Sequence, residues 1–394
     1  MKRIAILGST GSIGTQALDI VNQNRDRFQV SILACGKNRE LLEQQIRDFA
    51  PKAVSVASEE DARILRQKFP HVEVLCGKEG LLALAAAGSD YDVLLNSLVG
   101  IAGLEPTLQA VNLGKDVALA NKETLVAGGN LVMAKARETG SKIIPVDSEH
   151  SAVFQCLQGT VPAGAEAAGP VPPHFTGEEI KKLLLTASGG PFRGYTTEQL
   201  GKVTAKEALR HPNWSMGAKV TIDSAGLMNK GLEVMEACHL FNLPVEKVQV
   251  VVHPESIIHS MVEFRDGAIL AQMGAPDMRV PIAYALSFPQ RVETGASSVD
   301  FFAMGSFHFE PADLKTFRCL ALAMDAYQAG GTYPVVLNAA NEVLVAKFLK
   351  GEIGFLQIPD GIEKAMLRLA SIEEPTLEEI LEIDRRTREE IFTC

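Results

Sequence analysis

No run of apolar residues approaches the roughly 20 that a membrane-spanning helix needs, and no cluster of Lys and Arg concentrates positive charge. The first absence argues against a membrane protein. The second, with 38 basic against 48 acidic side chains and a net charge of −10, argues against nucleic-acid binding. Only a local basic pocket for a small phosphate remains open. Cysteine is scarce and scattered: Cys35, Cys76, Cys156, Cys238, Cys319 and Cys394 form no C-x-x-C pair. That spacing offers neither a zinc site nor a disulfide framework and suits a reducing compartment. Only Ile4 to Leu7 separate the basic start from Gly8, too few for a signal peptide. A soluble cytoplasmic protein is expected. At 394 residues the chain is long for one core, so two or three domains are expected.

What is present begins with rhythm. Up to about residue 146, short apolar runs alternate with helical spacing: Ile4–Leu7, Val30–Ala34, Ala53–Val56, Asp92–Asn96 and Asp116–Ala120 read as strands. Strand and helix in alternation predict an α/β fold with a Rossmann-like, doubly wound parallel sheet. Ligands of such sheets bind beyond the carboxyl ends of the strands.

At one of those ends stands Asp147-Ser-Glu149, after the apolar run Ile143–Val146. Read as extended chain, residues i and i+2 point to one side, so both carboxylates face one spot and call for a positive charge between them. The alternative is a solvated acidic strand end.

The first turn, Gly8-Ser-Thr-Gly-Ser-Ile-Gly14, follows a strand and opens a helix, the context of a dinucleotide loop. Its glycines admit a pyrophosphate, and the amides of Ser12 and Ile13 favour an anion. Thr15 stands where a Walker A loop needs Lys, so that loop is excluded. The second strand ends in Cys35-Gly-Lys-Asn-Arg39, without the acid that would bind a ribose hydroxyl. Lys37, Asn38 and Arg39 suit a 2′-phosphate, which favours NADPH over NADH; a solvated helix start is the plainer reading.

Asn121-Lys-Glu-Thr124 lies at another carboxyl end, where an ammonium beside a carboxylate suits proton transfer or oxyanion binding. Taken alone, such a tetrapeptide is more often a helix cap. Ser188-Gly-Gly190 has the small-residue geometry that wraps an oxyanion. Trp214 and Met216 lie between the breakers Pro212 and Gly217, as a buried plug or as a lid. Ser224, Asn229 and Lys230 are phosphate-binding types, and Glu233 is a candidate third carboxylate. His253 and His259, set in apolar alternation, read as core or subunit interface rather than metal ligands. Residues 288–311 look like an extended connector, and the helical pattern beyond Asp313 includes a capping box at Thr376-Leu-Glu-Glu379.

Seven of these stretches in register (GSTGSIG, GKN, LANKETLVAGG, PVDSEHSA, SGGPFR, HPNWSMG and MNKGLE) resemble the 1-deoxy-D-xylulose 5-phosphate reductoisomerase family across residues 8 to 233. The stretch from about 159 to 175 matches nothing in that pattern. The resemblance implies an NADPH-dependent enzyme of the non-mevalonate isoprenoid pathway, converting 1-deoxy-D-xylulose 5-phosphate to 2-C-methyl-D-erythritol 4-phosphate. It implies Asp147, Glu149 and Glu233 as ligands of Mg²⁺ or Mn²⁺, with Co²⁺ a further option. Ser188, Ser224, Asn229 and Lys230 would grip the substrate phosphate. Lys122, Ser148, Glu149, His211 and Glu233 would meet the rest of the substrate, Lys122 and Glu149 handling protons. Cofactor contacts would be Thr10, Gly11, Ser12, Ile13, Gly36, Lys37, Asn38, Asn121, Glu123 and Gly217. Trp214 and Met216 would lie on a lid, and the partner would be a second copy in a homodimer. The implied domains are 1–147 for NADPH; 148–287 for catalysis, metal, substrate and dimerisation; 288–312 as connector; and 313–394 as a helical domain.

Two other readings compete. A semialdehyde-dehydrogenase type of NADP enzyme would need a catalytic thiol, for which Cys156 is the nearest candidate. An NADPH-sensing regulator would have no use for three convergent acids beside a phosphate pocket.

Overall fold

The computed structural model describes residues 1–158, 170, 171, 178–210, 212, 214, 216–369 and 372–393. The first part of the chain forms a seven-stranded sheet: β1 (Lys2–Leu7), β2 (Phe28–Ala34), β3 (Ala53–Val56), β4 (Glu73–Cys76), β5 (Val93–Asn96), β6 (Asp116–Leu119) and β7 (Ile143–Pro145). The strand order is β4-β3-β2-β1-β5-β6-β7, with every pairing parallel. Parallel strands covered by helices on both faces must be apolar throughout, and Val93-Leu-Leu and Ile4–Leu7 are fully buried on both sides. The order reverses between β1 and β5, which opens a crevice at their carboxyl ends. β4 and the helix Gly77–Ala86 that follows it are additions to the sequence reading. Glu73–Cys76 is an edge strand with one fully buried residue, so it lacks the apolar run that marks its neighbours.

A second, five-stranded sheet is built from β8 (Ile180–Ala187), β9 (Val248–Val252), β10 (Ile258–Phe264), β11 (Ile269–Met273) and β12 (Glu310–Pro311), in the order β11-β10-β8-β9-β12. Only β8 and β9 are parallel within it. The helix Ser148–Cys156 lies against β10 and β11, while Met228–Phe241 is wedged between Lys122–Thr139 and Arg318–Ala329. The latter helix is buried on nearly every side, so its apolar residues run all round rather than in a stripe. The segment read as an extended connector carries more structure than expected. It holds the short helix Phe301–Met304, and its end pairs with β9 as a two-residue edge strand, where Pro311 is tolerated.

Helices Arg318–Ala329, Tyr333–Leu349, Gln357–Arg368 and Leu377–Thr393 pack together, and Tyr333–Leu349 also packs on Lys122–Thr139. No helix among the described residues is long and apolar enough to cross a membrane. His211, Cys394 and most of 159–175 lie outside the described residues.

The first turn sets the geometry of the crevice. Gly8 has φ +88°, and a Cβ there would stand 2.6 Å from Ser97 O at the end of β5. Gly14 is tighter: a Cβ would meet Gly8 O and lie 2.5 Å from Ser9 Cα. Gly14→Ala gains at most about 1 kcal/mol of helix propensity, whereas pushing backbone apart costs about 1–3 kcal/mol. The clash wins, so the variant is expected to unfold at lower urea than the parent; an unchanged midpoint would show that the turn gives way freely.

Candidate active site

Asp147, Glu149 and Glu233 each bring a carboxylate oxygen into one hollow, all within 4.8 Å of one another. The route differs from the one expected. β7 ends at Pro145, Asp147 is the N-cap of the helix Ser148–Cys156, and Glu149 lies in its first turn. A strand-to-helix corner, not strand alternation, aims the two acids together. Glu233 arrives from the second turn of Met228–Phe241, a helix that starts after Leu227 in the left-handed region (φ 58°).

The positive charge demanded by these acids is supplied by two ammonium groups. Lys122 Nζ is ion-paired with Asp147 Oδ2 and lies 3.0 Å from Glu233 Oε1. Lys230 Nζ sits 2.7 Å from Glu149 Oε1 and is paired with Glu233 Oε2. Burial disfavours both ammoniums, yet the acids outweigh it: Lys122 is pushed well above the ordinary lysine range and Lys230 is raised too. Burial likewise opposes ionisation of Asp147, but Lys122 beside it brings its carboxyl down to about 2. Glu233, 1% exposed, goes the other way, raised by burial and by neighbouring Glu149. Three carboxylates and two ammoniums leave one formal negative charge in the hollow. Asp147 Oδ2 is buried and makes no hydrogen bond of good angle, although Lys122 lies against it. A hard dication fits this set of oxygen donors.

Behind the acids lies a pair the sequence did not single out. His150 Nε2 donates to the Glu233 carbonyl at 2.8 Å, tying the two acid-bearing helices, and Nδ1 stands 3.3 Å from Glu236 Oε2. Both side chains are fully buried; burial raises the Glu236 carboxyl well above its usual range and lowers His150. The available signal was that Glu233 and Glu236, three apart on a helix, share a face.

Of the phosphate-binding types, Asn229 and Lys230 touch the acids, while the loop of Ser188 meets the helix of Ser224. Ser188 follows β8, and Gly190 (φ +66°) lets its loop approach the helix Ala218–Ala225: a Cβ there would stand 2.7 Å from Ser224 O. Asn229 and Lys230 occupy the first turn of Met228–Phe241, whose start has no side-chain cap. Asn229 is also joined to the acids, accepting from Lys122 Nζ at 3.0 Å and donating to Glu233. Ser148 is buried and donates to Glu149 Oε2 at 2.5 Å.

On the crevice side, Thr10, Gly11, Ser12 and Ile13 form the turn into the helix Ser12–Gln23, which begins without a side-chain cap. Gly36 and Lys37 are exposed at the end of β2, while Asn38 caps the next helix through Leu41 N and Arg39 is drawn to Glu43 and Asp61. Of the three residues read as meeting a 2′-phosphate, Lys37 and Asn38 are both exposed, and Asn38 has its side-chain oxygen engaged in the cap. Asn121 is buried, its amide donating to Leu98 O and Gly100 O at 2.8 and 2.9 Å and its oxygen capping the helix at Thr124. Glu123 is buried and accepts from Lys219 at 2.8 Å. Trp214 is half-buried, its ring 6.1 Å from that of His259, with Met216 half-buried and Gly217 exposed beside it. His253 and His259 are both buried in the second sheet. Burial pushes the Cys156 thiol up to about 11, which leaves it protonated and unsuited to be a nucleophile at neutral pH.

Family models match three stretches of the chain. The model for 1-deoxy-D-xylulose 5-phosphate reductoisomerase covers residues 4–129, one for its C-terminal domain covers 143–241, and the DXP reductoisomerase C-terminal domain covers 273–390. The reductoisomerase of Halalkalibacterium halodurans is 50% identical over 98% of both chains. That of Prosthecochloris aestuarii is 51% identical over 99% of this chain and 98% of its own. Among solved structures, the Zymomonas mobilis enzyme in complex with NADPH is 40% identical, with a TM-score of 0.90 over 100% of this chain and 98% of that one. A DOX-P reductoisomerase in complex with NADPH, fosmidomycin and magnesium is 39% identical, with a TM-score of 0.92 over the same shares. The chain belongs to the 1-deoxy-D-xylulose 5-phosphate reductoisomerase family.

Proposed function

We propose that the chain performs its family's reaction at the hollow described above. It rearranges 1-deoxy-D-xylulose 5-phosphate and reduces the resulting aldehyde with NADPH to 2-C-methyl-D-erythritol 4-phosphate. The observation that carries the reading is the convergence of Asp147, Glu149 and Glu233 on Lys122, Asn229 and Lys230. A divalent cation, Mg²⁺ or Mn²⁺, bound by those acids supplies Lewis-acid polarisation of substrate oxygens.

The residues of the chain do the rest. Lys230 and Asn229, at an uncapped helix start, suit the phosphate of the substrate. Glu149 accepts from Ser148 and pairs with Lys230, so it is poised to exchange a proton with a substrate hydroxyl. Lys122, held charged by Asp147 and Glu233, acts first as a fixed positive charge near developing oxyanions. The turn Thr10–Ile13 would receive the pyrophosphate, Gly36 to Asn38 the adenosine end, and Asn121, Glu123 and Gly217 the nicotinamide side. The half-buried Trp214 and Met216 are assigned to a cover over the substrate, and His211 to the same segment. Domain roles follow: residues 1–147 bind NADPH, 148–287 carry the chemistry, 288–312 connect, and 313–394 brace the nucleotide-side helix. We place the enzyme in the cytoplasm as a homodimer. The exposed Ile269 and Leu270 on the edge strand β11 support the dimer, since an uncovered apolar edge invites pairing with a second copy.

Glu233→Gln keeps the shape of the side chain and removes its charge. It is expected to weaken cation binding and lower kcat by about a hundredfold or more, near 2.7 kcal/mol of barrier, with the Kd for NADPH within about threefold of the parent. Calorimetry and steady-state NADPH oxidation measure both; loss of NADPH binding first would overturn the division of roles. Lys37→Asp is expected to shift preference from NADPH toward NADH by about tenfold or more in kcat/KM, equivalent to about 1.4 kcal/mol. An unchanged cofactor ratio would refute the 2′-phosphate assignment.

A further inference from the structure

Lys219 stands where three parts of the molecule meet. It lies on the helix Ala218–Ala225, two residues after Gly217 and five residues before Ser224. Its ammonium is 2.8 Å from Glu123 Oε1, at the start of the helix that leaves β6, and 2.9 Å from Asp223 Oδ2 on its own helix. The other oxygen of Asp223 accepts from Asn341 Nδ2 at 2.8 Å, on the helix Tyr333–Leu349 of the C-terminal bundle. Glu123, Asp223 and Asn341 are 7%, 2% and 0% exposed. This is an interior chain of charge-assisted bonds, not a surface pair.

Its placement gives it a use. Lys122 and Glu123 are consecutive at one helix start; the first pairs with Asp147 and Glu233 and the second with Lys219. Glu342, next to Asn341, reaches the turn that follows β5, where a Cβ on Gly100 would stand 2.7 Å from its Oε1, and it pairs with Arg388 at 2.9 Å. The C-terminal bundle therefore touches the nucleotide crevice and the phosphate-binding helix at adjacent positions. A buried carboxylate cannot leave its cation cheaply. A displacement of Glu123 on the nucleotide side thus draws Lys219 with it, and through Asp223 it shifts the helix bearing Ser224.

We infer that Lys219 is a positioning residue that couples occupancy of the nicotinamide side to the seating of the phosphate-binding helix, through the chain Glu123–Lys219–Asp223–Asn341. The inference rests on the proposed function, because it assumes NADPH on one side and a phosphate-bearing substrate on the other. Coupling between sites is reciprocal and typically amounts to about 5–150-fold.

The test uses the full-length protein with Mg²⁺ and two probes, NADPH and fosmidomycin. The Kd for NADPH is measured by calorimetry without and with saturating fosmidomycin; the ratio is the coupling factor. The wild-type protein is expected to give a factor of about 5 or more. In Lys219→Met the factor is expected to fall toward 1, with each single-ligand Kd within about threefold of wild type. Asp223→Asn, which keeps an acceptor for Asn341 and removes the charge, is expected to give the same fall and decides the matter if Lys219→Met does not fold. A purely structural role would weaken both ligands and leave the factor intact, and that result would overturn the inference. Wild-type protein that binds each probe with a factor of 1 would overturn it while sparing the function. Wild-type protein that binds neither would sink the functional reading, and the inference with it.

Discussion

Like charges cannot share a hollow unless something positive shares it with them. Two carboxylates about 4 Å apart repel by about 4 kcal/mol even at an effective dielectric near 20. Here Asp147, Glu149 and Glu233 are brought closer than solvent alone would tolerate, and Lys122 and Lys230 divide them. Each lysine touches two acids, so the cluster is a lattice of alternating sign. Such a lattice is poor stabilisation, because burying five charged groups costs more solvation than a well-packed apolar set would. Its presence is a sign of function. One negative charge left over suits a dication, and a dication beside two ammoniums suits a dianionic phosphate.

The fold delivers these groups from separate places. The first sheet contributes Lys122 after β6 and the Asp147–Glu149 corner after β7, both at carboxyl ends of parallel strands. The helix Met228–Phe241, packed against Lys122–Thr139, contributes Asn229, Lys230 and Glu233. His150, donating to the Glu233 carbonyl, pins one acid-bearing helix to the other. Asn121 and Asn96 use their side chains on backbone at the mouth of the crevice, which holds the loops there without occupying it.

Much of this was legible in the sequence, for physical reasons. Strands covered on both faces must be apolar throughout, so β1, β2, β3, β5 and β6 announce themselves. β4 is an edge strand with one fully buried residue and leaves no such mark. The acids were readable as a group because a metal and a phosphate demand particular side chains. The expected geometry of Asp147 and Glu149 was nevertheless wrong in kind: an N-cap and a first helical turn converge where a strand was expected. Glu236, Lys219 and Asn341 were not legible. Glu236 meets His150, Lys219 meets Glu123 and Asn341 meets Asp223 across 86, 96 and 118 positions, which no local spacing encodes; only the contact of Lys219 with Asp223, four apart on one helix, is local. Arg39 shows the converse, a residue of the right type whose charge is drawn off by Glu43 and Asp61.

The most direct measurement is the anomalous scattering of Mn²⁺ in crystals of the protein grown with NADPH. The account predicts one strong peak bounded by oxygens of Asp147, Glu149 and Glu233, with the ammoniums of Lys122 and Lys230 withdrawn from Glu233 to admit it. A hollow without a peak, both lysines still locked onto Glu233 and the manganese bound elsewhere, would contradict it.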